Sequence, residues 1–182
     1  MMKKLSVIMV LLVLAIGACT NFSANRSSES KMRSAYQNLL EKDEVKEIVN
    51  RLFISTDNRD WDAVSRLFAS EVLFDMTSMV GGEPMTLTPA EIVASWEKGL
   101  KPLKAIHHQV GNYIVHIHQK EAAVFCYGIA SHYLPNKTNQ NTRIFVGSYD
   151  FHLIKMDENW QIDKFKFNLK FIDGNSNLET SQ

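Results

Sequence analysis

W-Q-I-D-K-F-K-F-N-L-K-F, from Trp160 to Phe171, alternates apolar and polar side chains. Phe165, Phe167, Leu169 and Phe171 share one parity, and Lys164, Lys166, Asn168 and Lys170 share the other. A period of two marks a strand with one buried face and one wet face. Three long runs before it behave alike: His107 to His118, Ala122 to Leu134 and Arg143 to Lys155. The links are polar: Gln119-Lys120-Glu121, Pro135 to Asn141, and Asp157-Glu158-Asn159. Four such strands predict an antiparallel sheet packed on helices.

The helices are expected upstream. Leu40, Val45, Ile48, Val49, Leu52 and Phe53 fall on one helical stripe, with Asp43 and Glu44 early, where the helix dipole favours acids. Asp60 suits the N-cap of a second helix reaching Ala69, with Trp61, Val64, Leu67 and Phe68 as its apolar face. Glu71 to Thr77 is strand-like, and Gly81-Gly82-Glu83-Pro84 is a turn. Thr88-Pro89-Ala90-Glu91 forms a capping box with Pro at the first helical position, opening a third helix to about Leu100.

The first eighteen residues read as a secretory signal: Lys3 and Lys4, an apolar run from Leu5 to Ile16, then Ile16-Gly17-Ala18 before Cys19. The I-G-A-C end resembles a bacterial lipobox, which implies lipidation of Cys19 and an envelope lipoprotein. More than one acyl chain makes such anchoring durable. Thr20 after the cysteine leans toward the outer membrane, facing the periplasm. Residues 19–35, rich in Ser and Asn at their start, are expected to form a flexible tether, and 174–182 a disordered tail. Taking 18 residues from 182 leaves 164, one domain's worth; losing Lys3 and Lys4 leaves 18 basic against 20 acidic. Dispersed, balanced charge argues against a nucleic-acid surface. Cys126, in the apolar run A-V-F-C-Y-G, has no second cysteine to pair with once Cys19 is modified, and reads as a buried inert thiol.

Helix, helix, strand, helix, four strands is the order of a sheet that curls into a cone over three helices, with a pocket inside. That order, the D-N-R-D-W-D joint (Asp57 to Asp62) and the closing D-E-N-W-Q-I-D-K-F run resemble the nuclear transport factor 2-like superfamily, most closely its SnoaL-like and scytalone dehydratase-like branch, over residues 36–173. The resemblance implies an α+β cone: three N-terminal helices on a strongly curved antiparallel sheet. It also allows a homodimer through the convex face, where Val115, Ile117 or Tyr127 would be exposed.

In scytalone dehydratase-like proteins an Asp at the first helix joint and two strand histidines surround the substrate. Asp57 in T-D-N-R-D-W-D, His108 in H-H-Q-V-G-N and His132 in A-S-H-Y stand at those positions. The branch's two active-site tyrosines do not carry over: Thr56 precedes the Asp, and Met76 follows Asp75. Those tyrosines polarise a carbonyl through a water, so dehydration of the same substrate is put in doubt. The trio still supports acid/base work, since imidazole titrates near neutrality and a carboxylate fixes its tautomer. The bland alternatives are a helix-end carboxylate bonded to local N–H groups for Asp57 and satisfied or strand-end histidines for His108 and His132.

Asp75 in F-D-M resembles the proton-shuttling Asp of ketosteroid isomerase-like members, yet Leu52 stands where their oxyanion-hole tyrosine would be, so a structural role is favoured. Thr56, Met76, Trp96 and Asn112 are further candidate lining residues, and Val45, Val49, Phe53, Met79, Phe125, Phe145 and Phe167 candidate apolar walls. His116 and His118 form an H-x-H, but at a strand end with no third ligand in sequence. No phosphate loop, dinucleotide fingerprint or Ser-centred elbow occurs, and neither metal nor cofactor is expected. Two readings stay open: a lyase or isomerase acting on a small hydrophobic, cyclic compound, and a non-catalytic domain that holds a small ligand or serves an envelope assembly.

Overall fold

The computed structural model describes residues 3–180, with side-chain surroundings from Arg26 onward, Ser27 excepted. The signal sequence and Cys19 therefore lie outside the residues whose side chains are described. Two units are distinguished, residues 1–41 and 42–182. Helix α1 runs from Lys3 to Asp57 and belongs to both. In the first unit it continues through the stretch read as a tether, and its described side chains from Ser28 to Leu40 are exposed. Among the described residues no helix is long and apolar enough to cross a membrane.

In the second unit, α1 buries Val45, Val49, Leu52 and Phe53. Then follow α2 (Trp61–Leu67), β1 (Phe68–Asp75), α3 (Thr77–Val80), β2 (Met85–Leu87), α4 (Pro89–Leu100), β3 (Ala105–His118), β4 (Glu121–Tyr133), β5 (Thr142–Met156) and β6 (Asn159–Gly174). Both expected caps are made. Asp60 accepts from the Ala63 N–H at the start of α2, and Thr88 and Glu91 close a capping box on α4. The short α3 and β2 were not expected, because a four-residue helix and a three-residue strand are too brief for periodicity to register.

One six-stranded sheet has the order β2-β1-β6-β5-β4-β3. It is mixed, not antiparallel throughout: β1 pairs with β6 in parallel. Alternation says which side chains are buried but not which way a strand runs. β1 and β6 are not consecutive in the chain, so no hairpin between them dictates an antiparallel pairing.

Three features bend the sheet. Gly128 and Gly147 are paired partners on β4 and β5. A Cβ on Gly128 would lie 2.2 Å from the Tyr149 ring, and one on Gly147 would lie 2.7 Å from the Phe167 ring. The two bare positions let these rings lie flat across the concave face. Register breaks on β5–β6 add curvature. A bulge between Gly111 and Ile114 on β3, with Asn112 at φ 57°, shifts the alternation by one residue. Before it Ile106, His108 and Val110 turn inward; after it Tyr113, Val115 and Ile117 do. Val115 is therefore buried and Ile117 partly so, contrary to the expectation that both lie exposed on the convex face, whereas Tyr127 is exposed. His116 and His118 end on the wet side. Phe171, expected inward, is 55% exposed, because the β5–β6 register break precedes it.

Of the residues expected to form a disordered tail, those up to Thr180 are described. Residues 175–180 turn back after β6; Leu178 is fully buried with Leu103 and Ile106, and Glu179 is bonded to Arg143. Asn175 adds to this docking: its N–H donates to the Thr142 carbonyl at 2.8 Å and its side-chain amide to the Gln140 carbonyl at 3.1 Å.

Candidate active site

The end of α1 sets the site. Thr56 and Asp57 close the helix and Asn58 follows it; the Arg59 N–H reaches the Thr56 carbonyl and the Asp60 N–H the Ser55 carbonyl, with Arg59 at φ 56°. This double bond across a left-handed residue is a Schellman ending. The Arg59 guanidinium then donates to the Leu103 carbonyl at 2.7 Å, tying the joint to the end of α4. Asp57 is thereby aimed at β3.

β3 is an edge strand, so half of its backbone N–H groups have no strand partner. The His108 N–H donates to Asp57 Oδ2 at 2.8 Å, and His108 Nδ1 lies 2.6 Å from Oδ1. A carboxylate can only accept, so Nδ1 carries the hydrogen and Nε2 is left with its lone pair. The ring stacks on Phe53 at 5.1 Å between centroids. One carboxylate therefore fixes the backbone, the tautomer and the orientation of His108. His107, 72% exposed, is 3.8 Å from the same carboxylate and faces solvent.

His132 is prepared differently. It lies opposite Ile106 on β3 and Arg143 on β5, and His108 lies opposite Ala130. The two imidazoles are thus diagonal neighbours on one face. Arg143 Nη2 is 3.2 Å from His132 Nδ1. Guanidinium has no acceptor, so Nδ1 accepts and the proton of the neutral ring sits on Nε2. Burial, then the positive Arg143, push its pKa down to about 4. His108 therefore offers a lone pair where His132 offers an N–H.

Both rings line a cavity of about 240 Å³. Phe53, Met76, Met79, Trp96, Phe145 and Phe167 are among its apolar walls, as expected. Val45 and Val49 are plain core, and Phe125 faces a separate depression on the other side of the sheet. Thr56 lines the cavity with its hydroxyl returned to the Leu52 carbonyl at 2.7 Å. Asp57 stands behind His108 rather than in the wall. Asn112 is exposed at the bulge and does not line the cavity, because the left-handed turn there swings it off the inner face.

Asp75 is buried outside the cavity wall. It accepts from the Thr77 hydroxyl at 2.6 Å, the Thr77 N–H at 3.0 Å and Lys166 at 3.0 Å. The Thr77 hydroxyl, above all, holds its pKa down to about 2, against the effect of burial. That is a structural carboxylate at the start of α3. Cys126 is buried, and its thiol is pushed up to about 12 by desolvation.

Three groups were not singled out in sequence: Arg143, Glu179 and Tyr149. Arg143 and Tyr149 line the cavity from β5. The parity of β5 could have placed both there, since Arg143 pairs with His132. Burial raises the Tyr149 hydroxyl, which keeps it a protonated donor. Among the described residues no group of three or more His, Cys, Asp or Glu is placed to hold a metal ion.

Comparison with solved structures finds this same architecture. The chain is similar to the Kfla4162 protein of Kribbella flavida at 21% identity, covering 79% of this chain and 99% of that one, with a TM-score of 0.74. It is similar to a type 2 hexachlorocyclohexane dehydrochlorinase at 12% identity, covering 78% and 93%, with a TM-score of 0.66. It is also similar to a candidate scytalone dehydratase of Novosphingobium aromaticivorans at 16% identity, covering 78% and 91%, with a TM-score of 0.65. At these identities the likeness is one of fold. No curated protein matches in sequence. The model of the SnoaL-like domain matches residues 37–166. That span holds the joint at Asp57, both inward histidines and most of the sheet, and the chain belongs to the SnoaL-like domain family.

Proposed function

We propose that this domain is a lyase or isomerase that moves a proton on a small, mostly apolar, cyclic compound. The observation that carries the reading is the 2.6 Å contact between Asp57 and a His108 ring that borders the cavity. His108 Nε2 takes a proton from carbon, and Asp57 stabilises the resulting imidazolium. The electron pair then either expels a leaving group from the adjacent carbon or rests as an enolate on an oxygen. His132 Nε2–H and the Tyr149 hydroxyl are the donors available to that oxygen. A cavity of 240 Å³ holds roughly eight waters at ~30 Å³ each, which suits a one-ring molecule.

The test is hydrogen–deuterium exchange at carbon, followed by NMR in D2O, across small cyclic ketones and alcohols. Exchange or elimination is expected with the unaltered protein and should fall about 10²–10⁴-fold in His108→Asn and Asp57→Asn, with the melting curve kept. No exchange in any compound, with a co-purified ligand retained unchanged in mass, would sink the reading. That outcome would favour a binding domain, the reading supported by Thr56 and Met76 where the branch has tyrosines. Envelope anchoring through Cys19 is part of the proposal, resting on the K-K start and the I-G-A-C end. Labelled palmitate should enter the wild-type chain in cells and be absent from Cys19→Ala.

A further inference from the structure

The cavity contains a permanent cation that proton transfer from carbon does not require. Arg143 lies at the opening of β5, borders the cavity, and is largely buried, with 14% of its side chain exposed. Its counter-charge does not come from the cavity wall. It comes from Glu179, 36 residues later in the segment that folds back after β6. The pair is bidentate, Nη1 to Oε2 at 2.7 Å and Nη2 to Oε1 at 2.5 Å. The guanidinium also lies over the Phe145 ring at 5.1 Å and donates to His132. Its buried Nε has no partner.

Two features of this arrangement are unequal. Arg143 belongs to the sheet, backed by Phe145 and His132. Glu179 is 31% exposed and sits on a short turn segment anchored by Leu178. Of the two partners Glu179 is the one nearer solvent, so water can take over its carboxylate more readily than it can reach the guanidinium. A carboxylate arriving inside the cavity meets a fixed, partly desolvated fork that matches it bidentately, and it brings apolar surface that Glu179 does not.

We propose that Arg143 anchors the carboxylate of a small apolar organic acid in this cavity, and that Glu179 occupies the guanidinium as an internal stand-in until that acid displaces it. The ligand ring lies against Phe145, Phe167 and Trp96, and its charged end faces β5. The inference deepens the reading of the same cavity as a ligand site, but it does not depend on turnover. Glu179 then sets a threshold: the acid binds only as tightly as its advantage over the resident carboxylate allows.

The experiment compares cyclohexanecarboxylate with its neutral isostere cyclohexanecarboxamide by calorimetric titration of the full chain. Wild type should bind the acid about tenfold more tightly than the amide. Glu179→Gln should tighten the acid by a further factor of about three to ten and leave the amide unchanged. Arg143→Met should erase the difference between the two probes. Hydrogen exchange on wild type supplies an independent readout, which decides even if a variant folds poorly. Protection across residues 175–180 should fall on saturation with the acid and stay constant with the amide. Equal affinities for acid and amide in wild type and Glu179→Gln would overturn the proposal and leave proton transfer standing. So would acid binding with protection of 175–180 unchanged. Binding of neither probe, nor of any cyclic ketone or alcohol, would remove the cavity as a ligand site and both readings with it.

Discussion

Two histidines of the same type are held in opposite hydrogen-bonding states by their partners. An acceptor, Asp57, puts the His108 proton on Nδ1; a donor, Arg143, puts the His132 proton on Nε2. His132 also imposes a pH dependence on stability. Its folded pKa of about 4 lies below the ordinary 6.5, chiefly through burial. The unfolded chain takes up a proton in that interval that the folded chain refuses, so stability is full above about pH 6.5 and falls as the pH drops toward 4. The loss should be on the order of 3 kcal/mol, and His132→Asn should flatten the slope of the urea midpoint across that range. Asp75 gives a contrasting test. Asp75→Ala strands the Thr77 N–H and Lys166 and should cost about 2–3 kcal/mol in urea unfolding. Turnover at the cavity should persist; its loss would restore the proton-shuttle role for this carboxylate. Asp57, His108 and His132 came to notice through the resemblance to the scytalone dehydratase-like branch; the Asp57–His108 contact and the cavity placement of both rings are tertiary facts. Glu179 did not, since nothing local relates it to an arginine 36 residues earlier.

At the scale of elements, the pocket depends on what β4 and β5 omit. Gly128 faces Gly147 across the ladder, and the Tyr149 and Phe167 rings fill the space. Gly128→Ala places a methyl 2.2 Å from Tyr149 Cε2, so the ring must move toward the cavity. Overpacking of this kind should cost about 1–3 kcal/mol and reduce ligand affinity, read by thermal melting and calorimetry together. A mutant that kept both would show that the ring has room elsewhere. Elements were read well where a period persisted: the α1 stripe, the capping box of α4 and the four long strands. The phase of β3 was read wrongly beyond Gly111, because one extra residue inverts every later side chain. That single bulge exchanges the fates of Val115 and His116.

At the scale of the whole domain, the hollow is enclosed by contributions from α1, α3, α4 and strands β3 to β6. The segment after β6 adds Leu178 to the small cluster of Leu103 and Ile106. Leu178→Ala should cost about 2–4 kcal/mol, as for a fully buried leucine, measured by chemical denaturation. A disordered tail would give no change, and that result would also detach Glu179 from Arg143. The parallel pairing of β1 with β6 belongs to this scale too, because it joins the first strand to the last.

Local chemistry alone specified the α+β class, the helix caps and the strand count of the closing meander. Those features follow from periodicity and from short-range hydrogen bonding, both of which act within a few residues. Only the tertiary structure decided the direction of β1, the facing of β3 beyond its bulge, and the meeting of Arg143 with His132 and Glu179. Each of these depends on which distant surfaces close against one another, and burial is settled by that closure rather than by neighbours along the chain.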